Sequence, residues 1–146
     1  MKTAILYYSK HHENTKRLLD AIAEKHEVDL IDVTKEKEID LGDYDRIGFA
    51  SGIYYSGFAK QLLETATQIL PGGKKVFYIA TCGSMRRSYF KGIKAITTKM
   101  GCESIGEYLC LGFDTFGPFK LVGGIAKNHP TEEEINGAVK FYESLS

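Results

Sequence analysis

Ala4-Ile5-Leu6-Tyr7-Tyr8-Ser9-Lys10-His11-His12-Glu13-Asn14-Thr15-Lys16-Arg17-Leu18-Leu19 decides the fold, because an apolar strand passes through a short polar loop directly into an amphipathic helix. The first backbone N–H groups of a helix lack partners within it, and with the helix dipole they attract anions. Hydroxyls at both ends of the loop complete the pattern, so Ser9, Lys10, His11, His12, Asn14 and Thr15 read as a phosphate cradle. The loop contains neither G-x-x-x-x-G-K-[ST] nor G-x-G-x-x-G, which excludes a P-loop and a dinucleotide fingerprint. A single terminal phosphomonoester suits it. The competing reading is an ordinary strand-to-helix loop with His11 and His12 as solvated side chains.

Working outward, short apolar runs alternate with helical patterns. Strands are expected at Thr3 to Tyr8, Val28 to Asp32, Arg46 to Ser51, Lys75 to Ala80 and Ser104 to Leu111, most of them apolar enough to be buried on both faces. Apolar stripes at helical spacing fall between them, through Leu18, Leu19 and Ile22, through Leu62, Ala66 and Ile69, and through Phe90, Ile93 and Ile96. Thr131 with Glu134 spells a capping box ahead of a last helix. Strands alternating with helices, joined by right-handed crossovers, give a parallel sheet covered on both faces, of order 2-1-3-4-5. The expectation is a three-layer αβα sandwich forming one domain over residues 1–146.

Ligands of such sheets sit beyond the carboxyl ends of the strands, at the switch point between strands one and three. The loop after strand three holds Ser51, Gly52, Ile53, Tyr54 and Tyr55, which combine close backbone approach with flat aromatic faces. After strand four come Thr81, Cys82, Gly83 and Ser84. A phosphate cradle, an aromatic wall and a small-residue floor together match what flavin mononucleotide (FMN) requires. The plainer alternative is that the two tyrosines only cover the top of the sheet. Phe113, Thr115 and Phe116, after strand five, are open between bordering a flavin, docking a partner and simple loop packing.

With Tyr7, Ser9, Asn14 and Thr15 in matching places, and with Gly48 to Tyr55, Gly112 to Pro118 and His129 to Glu134, the chain resembles short-chain flavodoxins over nearly its whole length. It departs at Glu13, where that family usually has Gly. The resemblance implies a flavodoxin-like fold, noncovalent FMN, and low-potential electron transfer between redox partner proteins, with no catalytic acid, base or nucleophile. It also implies that Tyr54 or Tyr55 stacks on one side of the flavin and Met85 or Tyr89 on the other, and that the Ser56-Gly57 peptide rotates on reduction. Two alternatives stay open, an FMN-dependent NAD(P)H or quinone reductase and a flavin-free binding module of the same fold.

Composition narrows the partners. Formal net charge is zero across 146 residues, which argues against nucleic-acid binding. No apolar stretch is long enough to span a bilayer, and three cysteines without paired spacing fit a cytoplasmic chain with free thiols and no metal site. Cys82 ahead of Arg86 and Arg87 hints at a phosphatase loop. That pattern, Cys-x5-Arg, would need arginine where Ser88 stands.

Overall fold

A computed structural model of the chain describes residues 1–10, 13–112, 126 and 128–146. Strand β1 (Thr3–Tyr8) leads into helix α1 (Asn14–Lys25), which returns to β2 (Asp29–Asp32). Next come β3 (Arg46–Tyr54), β4 (Gly57–Phe58) and α2 (Lys60–Ile69), then β5 (Lys75–Cys82), a 3-10 turn at Arg87–Phe90, and α3 (Lys91–Lys99). Strand β6 (Glu103–Leu111) and α4 (Glu132–Ser144) complete the described elements. Five strands pair in parallel in the order β2-β1-β3-β5-β6, and β4 hangs antiparallel on β3. With the parallel strands counted in chain order, this is the 2-1-3-4-5 sheet expected from the sequence.

Strand alternation divides the core. Leu6, Phe49, Tyr78 and Ala80 face α2 and α3, packing with Leu62, Phe90 and Ile93. Ile5, Ala50, Phe77 and Ile79 face the opposite layer, against Leu18, Leu19, Ile22 and Val139. Gly48 is fixed by this packing, because Phe77 lies across it on the neighbouring strand and a Cβ there would come within 2.4 Å of the ring. Every parallel strand ends at the edge where the helices start, so the edge loops converge as the topology requires.

The sequence reading placed residues 52–58 in an irregular loop, and here the structure differs. β3 runs on through Gly52, Ile53 and Tyr54, and β4 pairs back with Ile53↔Phe58 and Tyr54↔Gly57. The hairpin closes through Tyr55 and Ser56, whose φ values of 50° and 65° belong to the mirror-image turn that matches strand twist. Each non-glycine residue in that region costs on the order of 1 kcal/mol.

Candidate flavin-binding edge

α1 begins without the usual devices of a helix start. Its N-cap, Glu13, is exposed and left-handed (φ 50°, ψ 37°), lends no side-chain cap, and the first turn holds no acid. Positive φ explains why glycine suits this place, and it turns the Glu13 side chain outward. In its stead Ser9, from the far end of the loop, brings its hydroxyl to the Lys16 N–H at 3.3 Å. Lys16 is itself engaged by Asp20, at 2.8 Å. What remains is a dipole-positive helix start beside a half-buried serine, which is the chemistry of an anion site.

The other cradle residues divide into lining and support. Thr15 and Thr81 are buried and share one hydrogen bond between their hydroxyls, 2.9 Å, which ties the start of α1 to the end of β5. Asn14 is buried against Gly112, where any Cβ would come within 2.7 Å of its amide. Lys10 stays exposed, its backbone N–H 3.4 Å from the Tyr54 phenol. His11, His12 and the loop of residues 113–125 lie outside the described residues.

Of the second loop, Ser51 turns inward. It is fully buried, and its hydroxyl accepts from the Ala59 N–H at 3.0 Å, so it braces the hairpin against α2. Strand alternation from Phe49 places it on that face, a signal present in the sequence. Ile53 is half-buried beside the core and Gly52 lies under the Tyr54 ring. Tyr54 packs edge-on against Tyr8, with centroids 5.5 Å apart, and its phenol reaches both backbone groups of Lys10. Tyr55 sits at the hairpin tip and is 90% exposed.

At the third loop Cys82 is buried, its thiol 3.5 Å from the Cys110 carbonyl and 3.8 Å from the Met85 sulfur. Cys110, also buried, has its thiol pushed up to about 12 by burial first and then by the Glu134 and Cys82 charges, so it is no nucleophile. Gly83 is half-buried and Ser84 exposed. Tyr89 is held inside by a 2.7 Å hydrogen bond to the Ser84 carbonyl, while Met85 is half exposed. Of the two, Met85 is the exposed side chain and Tyr89 the buried one.

Glu134 was read only as a capping residue, yet it joins three elements. It caps α4 with Thr131, accepts from the Leu111 N–H at 3.2 Å, and meets His129 Nδ1 at 2.5 Å. Burial pushes its carboxyl up, but the hydrogen bonds from His129, Thr131 and Leu111 outweigh burial and hold it below the usual carboxylate range.

A family model described as a flavodoxin domain matches residues 4–94, from β1 into α3. The chain belongs to the flavodoxin family. The match spans the loops after β1, β3 and β5. An uncharacterized protein of Methanocaldococcus jannaschii is 36% identical over 147 positions, covering 99% of this chain and 98% of that one. Among solved structures, oxidised flavodoxin 1 from Bacillus cereus superposes with a TM-score of 0.68 at 17% identity, over 99% of this flavodoxin and 100% of that chain. The apo form of an NADH:FMN oxidoreductase reaches 0.61 at 16% identity, over 100% and 91%. One fold therefore serves an electron-carrier family and an enzyme, and likeness at these identities speaks to fold alone. No helix among the described residues is long and apolar enough to cross a membrane.

Proposed function

We propose that this chain binds FMN noncovalently and carries electrons between redox partner proteins. The observation that carries the reading is the start of α1, whose first turn holds no acid and has Ser9 beside it, at the same sheet edge as an exposed tyrosine on a strained hairpin. The residues fit the group. Ser9 and the first turn of α1 would hold the phosphate, Tyr55 and Met85 would border the ring, and the Thr15–Thr81 bond and Ser51 would hold the loops in place. FMN supplies the redox chemistry, so the chain need only orient it and tune its surroundings.

When the bound flavin is reduced, the Ser56-Gly57 peptide would be the unit that rotates, next to the Tyr55-Ser56 turn where the backbone is already strained. Non-glycine residues in unusual conformations gather where a site has two states. The carrier reading is favoured over a reductase because the sequence holds no G-x-G-x-x-G dinucleotide fingerprint. We propose a single domain and a cytoplasmic setting for this carrier.

Adding FMN to apoprotein should give a bound-flavin visible spectrum at one equivalent. Stopped-flow absorbance of the loaded protein should then show rapid one-electron reduction by a ferredoxin or flavoprotein reductase, and negligible turnover of NADH or NADPH with quinones. Robust multiple-turnover NAD(P)H oxidation would replace the carrier by the reductase.

A further inference from the structure

We propose that the shoulder formed by the β3–β4 hairpin and the starts of α2 and α3 docks a partner protein through an acidic face on that partner. The inference deepens the carrier reading and rests on it. Lys60 and Lys91 are the first residues of α2 and α3, and neither helix has an acid in its first turn or a side-chain cap. Arg86 and Arg87, both exposed, precede α3 in the same loop. Phe58 of β4 packs on Phe90, the last residue of the turn that carries Arg87, with centroids 5.7 Å apart, which holds the hairpin beside the start of α3.

Lys60 at the start of α2 opposes the helix dipole, and the 3-10 turn that runs directly into α3 begins with Arg87. Local acids compensate poorly. Glu64 lies 3.9 Å from Lys60 with both side chains largely exposed, and Glu107 alone is shared by Arg87 and Lys94. Among the described residues no carboxylate pairs with Arg86 or Lys91. The start of α2 and the surplus cations thus add to one positive field, and Met85 (50% exposed) and Tyr55 offer exposed apolar surface on the neighbouring loops.

The arrangement also has direction. At the same sheet edge but on the opposite layer, α4 begins with Glu132, Glu133 and Glu134. Because the formal net charge is zero, approach is steered by this asymmetry and not by overall charge. A partner with an acidic patch is drawn to the α2–α3 shoulder, and a basic one to the α4 side.

Surface plasmon resonance on the full chain tests this with three probes: the acidic haem domain of cytochrome b5, basic cytochrome c, and a short DNA duplex. The b5 domain should associate with a rate constant that falls about tenfold as salt rises from about 20 to about 200 mM. Arg86→Glu/Arg87→Glu should lower that rate at low salt about fivefold or more, and Glu132→Lys/Glu133→Lys should not. Preference for cytochrome c, an unchanged rate in the arginine variant, or tighter arginine-dependent binding of the duplex would overturn the proposal. The salt series on the unmodified chain keeps the test open if a variant folds poorly. FMN titration of the same samples separates the two claims. Normal FMN binding without b5 preference sinks this surface alone, whereas b5 docking without FMN binding sinks the carrier.

Discussion

Both α1 and α4 begin at the ligand edge of the sheet, and both present first-turn N–H groups that the helix itself leaves without partners. α4 satisfies them internally. Thr131 accepts from the Glu134 N–H at 3.2 Å, Glu134 accepts from the Thr131 N–H at 2.8 Å, and three acids oppose the dipole. At α1 the N-cap Glu13 is left-handed and makes no side-chain cap, and among the described residues the Ser9 hydroxyl reaches the Lys16 N–H. Two starts on one edge thus serve different ends. One ties α4 to β6 through Glu134, and the other is the end at which we propose the phosphate binds.

Removing the α4 device should have the largest effect on stability. Glu134→Ala is expected to cost about 2–3 kcal/mol, because a carboxylate with several charge-assisted hydrogen bonds is lost and the Leu111 N–H is orphaned. Thermal or urea unfolding measures it. FMN affinity should change little, and a parallel loss of affinity would break the division between the two starts.

Acid sharpens the same point. Because the folded carboxyl of Glu134 is lowered, its stabilisation is fully present above the ordinary glutamate value of 4.5 and is lost as pH falls through the folded value. The stability gap between the unmodified chain and Glu134→Gln should therefore be wide at pH 7 and close toward pH 3. A gap that stays constant, or widens in acid, would contradict the hydrogen-bonded carboxylate.

Thr131→Ala removes only the cap hydroxyl and should cost about 1 kcal/mol by the same unfolding measurement. At α1 the expected change is smaller. Glu13→Gly relieves a left-handed backbone worth on the order of 1 kcal/mol but loosens the unfolded chain by a comparable amount, so net stability should move by less than about 0.5 kcal/mol. FMN affinity should change little, because the exposed Glu13 carboxylate is turned from the loop, and a clear rise would place its charge at the phosphate. A large destabilisation would mean that Glu13 is a cap after all.

The parallel sheet and its order were legible because buried strands write themselves as apolar runs, as in Ile47 to Ala50 and Val76 to Ala80. The α4 capping box was legible for a similar reason, since it is set by residues three apart. The β3–β4 hairpin was not, because its turn is made by Tyr55 and Ser56 in place of the Asn-Gly that announces a mirror-image turn. Composition also could not separate hydroxyls that line the edge from those that support it. Ser51, Thr15 and Thr81 go inward because strand alternation and the first turn of α1 carry them there, and Gly112 meets Asn14 only through the fold, from the far end of β6. The joining role of Glu134 likewise depends on β6 meeting α4 in space.

The central claim, that the start of α1 holds a phosphate, is tested most directly by calorimetric titration of the apoprotein with FMN and, separately, with riboflavin. The account predicts one FMN site, bound at least about tenfold more tightly than riboflavin, as expected for a dianion at an open helix start. Equal affinities would show that Ser9 to Thr15 is not a phosphate cradle, and heatless, unsaturable titrations with both would remove flavin from the function of this chain.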